Sequence, residues 1–84
     1  ADNTSEYEMA LEWINTAIDK RPDAFWMLYH KARILNLVGQ EKDAIYTANK
    51  TIEIASKKED DYGYIKKSKN LINDIKSGVR KIEE

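Results

Sequence analysis

The sequence predicts an all-α domain of four helices in which consecutive helices pack antiparallel, and three observations carry that expectation. The 84 residues include three glycines and one proline, too few chain breakers for an all-β domain, which would need a turn every ~8–12 residues. Apolar residues recur at steps of three and four along most of the chain, the period of one helical face. The chain also repeats itself. A shift of 34 residues lays Ala10-Leu11 on Ala44-Ile45, Ile14 on Ala48, Ala17 on Thr51 and Ile18 on Ile52. Glu6, Glu8 and Asp19 fall on Gln40, Lys42 and Glu53, so the apolar face is repeated more faithfully than the polar one.

The first helix is expected over 5–20. Asn3, Thr4 or Ser5 can cap it by accepting an orphan amide hydrogen bond, and Glu6 and Glu8 suit the positive end of its dipole. Tyr7, Ala10, Leu11, Ile14, Ala17 and Ile18 form its apolar stripe; Lys20 and Arg21 close it and Pro22 stops it. The second helix, over 23–38, has Asp23 as its candidate cap. Phe25, Trp26, Met27, Leu28, Tyr29, Ala32, Ile34, Leu35, Leu37 and Val38 cover nearly its whole circumference, as in a helix buried between neighbours, and Gly39 provides a left-handed stop. The third, over 41–57, turns Ala44, Ile45, Ala48, Thr51, Ile52 and Ala55 inward. After the polar connector Lys57-Lys58-Glu59-Asp60-Asp61, a fourth helix over 61–77 carries Ile65, Ser68, Ile72 and Ile75 on one face. Val79 and Ile82 continue that spacing, but Gly78 favours an end near Lys76 to Ser77.

Phe25 to Ser56 resembles one tetratricopeptide repeat. Ala32 stands at the small-residue position of its first helix, Gly39 at the inter-helix turn, and Ala44-Ile45 where its second helix begins to pack. Tyr7 to Pro22 is similar to the second helix of a preceding repeat, with Ala10, Ala17 and the terminal Pro22 in place. The departures are Leu28 for the usual tryptophan, Lys31 for leucine, Leu35 for tyrosine, Thr51 for the second small alanine and Ser56 for the closing proline. The resemblance covers about one and a half repeats plus a capping helix, roughly residues 5–77, and implies stacked helix pairs whose first helices line a concave peptide-binding face. The family's best-known activity, clamping a chaperone's terminal carboxylate, does not transfer. The corresponding helix offers Trp26, Tyr29, His30 and Arg33, and no second full repeat completes the clamp. The run from Phe25 to Ile45 is also similar to C-terminal repeat segments of some secreted or envelope bacterial proteins, which implies such a location.

Length limits the chain to a single domain over 1–84, and a start at Ala1 suggests a processed form or a piece of a longer protein. With no cysteine and one histidine, neither disulfides nor a zinc site is expected. Fourteen basic and fifteen acidic residues nearly cancel, giving no general attraction to nucleic acid or membrane, and no run approaches the ~20 apolar residues of a membrane span. The local exception lies between Tyr64 and Ile82, where Lys66, Lys67, Lys69, Lys76, Arg80 and Lys81 face one acid, Asp74. A solvated helix face explains it most simply; a nucleic-acid surface is the sharper reading.

No catalytic, cofactor or metal site is expected. His30 is the one conventional base near neutral pH and has no nucleophile beside it, Glu59-Asp60-Asp61 lacks the spaced oxygens and central glycine of a calcium loop, and no phosphate-binding glycine loop occurs. A protein-interaction module is the first functional expectation. Its partner stripe is Trp26, Tyr29, Arg33 and Asn36 on the second helix, with Lys66 and Lys69 as a positive wall, suited to an extended peptide with acidic and apolar residues. The alternative is a structural appendage docking on another domain of its own chain. The first helix lacks its pair partner, so Tyr7, Leu11, Ile14 and Ile18, with Trp13 beside them, form an open flank for such docking or for weak self-association. Trp13 and Trp26 lie off the core stripes and either cover helix junctions or anchor a partner.

Overall fold

A computed structural model describes residues 4–78 as four helices: α1, Thr4–Lys20; α2, Phe25–Leu37; α3, Glu41–Ala55; and α4, Tyr64–Lys76. No strand occurs among the described residues, and the fold is all-α. The capping position of α1 and the continuation through Val79 and Ile82 lie outside them. The links at 21–24 and 38–40 are four and three residues long. At ~3.3–3.6 Å per residue they fall short of the ~20 Å length of α2, so α1, α2 and α3 must run antiparallel in turn.

The helix ends follow from backbone chemistry. At the end of α1, Arg21 N–H is shared between the carbonyls of Ala17 and Ile18, and Pro22 then removes the next donor. The end of α2 is a Schellman motif: Gly39 takes φ 88°, Gly39 N–H donates to Asn36 O at 3.1 Å, and Gln40 N–H donates to Leu35 O at 2.9 Å. Two starts differ from expectation. Asp23 does not cap α2; Ala24 holds the cap position with no side-chain bond, while Asp23 Oδ2 accepts from Lys58 Nζ at 3.1 Å. Helix α4 begins three residues later than expected because Tyr62 and Gly63 both adopt left-handed φ, 50° and 81°. Asp60 Oδ1 accepts from Tyr62 N–H at 2.8 Å and Asp61 Oδ2 from Ile65 N–H at 3.2 Å, so two of the connector's acids hold this turn.

Helix α2 is central. It packs against α1, α3 and α4, and His30 is its one exposed position. Helix α4 also packs against α3, whereas among the described residues α1 approaches no helix backbone other than α2. The main core joins Tyr29, Ala32 and Leu35 of α2, Ala44 and Ala48 of α3, and Leu71 and Ile75 of α4, with Leu11, Ile45, Tyr64 and Ile72 against its edge. Small residues sit at the crossings: Ala32, Ala44, Ala48, Thr51 and Ser68 are wholly buried, so the helix backbones approach closely. The inward face of α4 is turned from the expected Ile65–Ser68–Ile72–Ile75 stripe towards Ser68, Leu71 and Ile75, with Ile65 and Ile72 half-buried.

Two buried hydroxyls behave differently. Thr51 Oγ1 donates back to Thr47 O at 3.0 Å, whereas Ser68 Oγ is buried with no hydrogen-bond partner. An unsatisfied buried hydroxyl costs about 1–3 kcal/mol, and alanine is the better helix former. Ser68→Ala is therefore expected to stabilise the domain by about 1 kcal/mol, raising the melting temperature by roughly 4–8 °C for a chain of this size. A lower melting point would show that the hydroxyl has a partner in solution.

Candidate functional site: the cleft between the second and fourth helices

Helix periodicity builds two facing rows. On α2, steps of four and three residues align Tyr29, Arg33 and Asn36; on α4, Lys67, Asn70, Leu71 and Asp74 follow the same steps. The rows line a cleft of about 90 Å³. This is room for a few water molecules or one carboxylate-sized side-chain tip, well below the ~300–1,000 Å³ of small-molecule sites.

An aromatic wedge fixes the spacing of the walls. Tyr64, the first residue of α4, meets Phe25 and Tyr29 edge-on, with ring centroids 5.7 and 5.4 Å apart. Such pairs contribute about 0.5–1.5 kcal/mol each beyond area burial. Both cations of the cleft lie against these rings: the Arg33 guanidinium is 5.9 Å from the Tyr29 centroid and Lys67 Nζ is 4.9 Å from that of Tyr64. Arg33 Nη1 is also 3.5 Å from His30 Nδ1. Among the described residues the ion pairs are Lys50–Glu53 and Lys58–Asp23, so neither Arg33 nor Lys67 has a carboxylate within 4.0 Å. Two cations and Asp74 leave the cleft with one net positive charge.

The structure divides the expected partner stripe. Tyr29 and Asn36 are 3% and 2% exposed, because α4 lies over them; they form the floor of the cleft instead of an open aromatic surface. Arg33 is half-buried in the wall. Trp26 is at the far end of α2, edge-on to Phe25 with centroids 5.2 Å apart and beneath the Arg21 guanidinium at 5.9 Å. It covers the helix junction beside the α3–α4 connector. There the Lys58 ammonium holds the Asp23 carboxyl below its ordinary pKa, through its hydrogen bond first and its charge second. Lys66 and Lys69 do not form the positive wall. They are exposed and line a separate hollow with Ala55, Ser56 and Ile65, about 100° around the helix from the row that contains Lys67.

The expected docking flank is also divided. Ile14 is buried, Leu11 reaches the core edge, and Tyr7 and Ile18 are half-buried, so α2 alone covers most of that stripe. Trp13 covers no core: it is 74% exposed, one turn from Met9 at 70%. Sequence reasoning missed Met9, Lys67, Asn70 and Asp74 as site residues. Counting steps of three and four from Tyr64 would have found the last three. Among the described residues no group of three or more His, Cys, Asp or Glu side chains is placed to hold a metal ion, and no helix is long and apolar enough to cross a membrane. No family model, no curated protein and no solved structure matches the chain.

Proposed function

We propose that this chain is a non-catalytic protein-interaction module of the tetratricopeptide-repeat kind, and that its α2–α4 cleft receives an acidic side chain of an extended peptide. The observation that carries the reading is the pair of cations, Arg33 and Lys67, set on opposite walls of a narrow cleft with no carboxylate within ion-pair distance among the described residues. Arginine binds a carboxylate through two parallel N–H bonds, and Lys67 adds a point charge from the other wall. The buried Tyr29 and Leu71 beneath supply an apolar floor for a neighbouring side chain of the peptide. The 34-residue repeat and the central position of α2 support the family comparison. The basic helix favours nucleic acid less, since Lys67 faces the cleft while Lys66 and Lys69 line another hollow.

The test is titration of the labelled domain with capped peptides alternating glutamate and leucine, alongside matched lysine–leucine and serine–leucine peptides, followed by amide chemical shifts. The glutamate peptide is expected to move resonances around Arg33, Asn70 and Asp74, with affinity falling as salt rises. Arg33→Ala combined with Lys67→Ala should weaken binding at least about tenfold, the value of one charge-assisted bond, and shift the melting temperature little because Lys67 is exposed and Arg33 is only half-buried. Equal binding of the lysine peptide, or full affinity in the double variant, would rule the cleft out.

A further inference from the structure

The outer face of α1 carries information that the cleft does not use. The 34-residue repeat lays α1 on α3, so their corresponding positions can be compared. In α3, Ala44, Thr47, Ala48, Thr51 and Ala55 are all buried, because that helix lies between α2 and α4. The corresponding Ala10, Trp13, Ile14 and Ala17 of α1, with Arg21 just past its end, include one buried residue, Ile14, because among the described helices α1 packs against α2 alone. The uncovered face runs Glu6, Met9, Trp13, Ala17, Lys20, in steps of three and four, with the tryptophan and methionine its most exposed apolar groups.

We infer that this face is a self-complementary surface on which two copies of the chain pair through antiparallel α1 helices. The spacing carries the argument. Glu6 and Lys20 each lie seven residues from Trp13, two turns or about 10.5 Å away along the axis, and both are exposed. Met9 and Ala17 each lie four residues from it. An antiparallel pair about a twofold axis at Trp13 therefore sets Glu6 of each copy against Lys20 of the other. It places the large Met9 over the small, half-buried Ala17, and brings the two Trp13 rings together at the axis. The opposite, parallel arrangement would place Glu6 on Glu6 and Lys20 on Lys20. An unrelated helix would need neither the charge symmetry nor the large-on-small match within one face. The helix is about 25 Å long and the covered strip about 10 Å wide. The buried area falls below the ~1,200 Å² of stable complexes, so the dimer is a weak one.

Sedimentation of the 84-residue chain from about 10 µM to about 1 mM, a span suited to a small and weak interface, tests this. Monomer is expected at the low end and a growing dimer fraction at the high end. Trp13→Glu should keep the chain monomeric throughout with an unchanged melting temperature, since the side chain touches no core. Glu6→Lys and Lys20→Glu should each reduce dimer formation several-fold, and the two together should restore it. A chain that stays monomeric to the highest concentration would overturn the inference and leave the face to a different helix. Association that survives Trp13→Glu, species larger than a dimer, or no rescue in the doubly reversed variant would overturn the antiparallel register. Peptide binding by the cleft is unaffected by any of these outcomes.

Discussion

Tyr29→Ala is expected to cost about 3–5 kcal/mol, the usual range for truncating a fully buried aromatic ring. In a domain of this size each kcal/mol moves the melting temperature by roughly 4–8 °C, so a fall of more than about 10 °C should appear in a thermal melt followed by far-ultraviolet circular dichroism. The effect is large because the ring is shared. Tyr29 contributes to the core formed by α2, α3 and α4, meets Tyr64 edge-on at 5.4 Å, and supports the Arg33 guanidinium from below. Its loss opens a cavity at the junction of three helices and removes one side of the wedge that docks α4. Small proteins are stable by only about 5–15 kcal/mol, so a substantial part of the margin would go. Tyr29→Phe keeps the ring and separates packing from the hydroxyl; it should lie much nearer the parent. A drop of only a few degrees in Tyr29→Ala would mean that α4 closes over the gap and that the ring is less central than its burial indicates. It follows that Arg33 and Lys67, whose side chains are half-buried and exposed, are the positions at which the proposed binding can be tested without unfolding the domain.

Ala44→Leu is expected to destabilise by about 1–3 kcal/mol through overpacking. Ala44 is wholly buried in the first turn of α3, within the core formed with Tyr29, Ala32 and Leu35. A leucine there adds three carbon atoms where the helix backbones are already close, and the connection at 38–40 leaves little freedom to move the start of α3. The same melt decides it: an unchanged or higher melting temperature would mean that α3 can swing outward at its start and that the small residue is not what sets the helix spacing.

What the sequence revealed and what it hid follow a physical division. Pro22 and Gly39 act through their own backbones, so the end of α1 and the Schellman turn after α2 were legible from single residues. The central place of α2 was legible because apolar residues surround it, and Ala44 and Ala48 because they repeat Ala10 and Ile14 one period later. The misread features depend on partners distant in the chain. Asp23 has the chemistry of a cap, but Lys58, 35 residues on, takes its carboxylate. Tyr29 and Asn36 share a helical stripe with Arg33, yet their burial is decided by where α4 crosses. The choice between Lys67 and Lys66 or Lys69 turned on the rotation of α4 about its own axis. That rotation is set by Tyr64 wedging between Phe25 and Tyr29 and by the left-handed pair Tyr62-Gly63, a conformation a tyrosine rarely adopts and composition does not announce.

The order of the described helices along the chain is nearly their order in space: α1 lies on α2, α2 on α3, α3 on α4, and among the described residues the one helix contact that skips an element joins α2 to α4. Loop-closure entropy is consequently small at every step of assembly, and chains built from such local contacts fold in microseconds to milliseconds. The α2–α3 hairpin contains both the short Schellman connection and most of the buried alanines, so it is the natural nucleus, with α1 and α4 adding independently on either side. Mutations in α1 should then speed unfolding while leaving the folding rate nearly unchanged, whereas changes at Ala44 or Ala48 should slow folding itself.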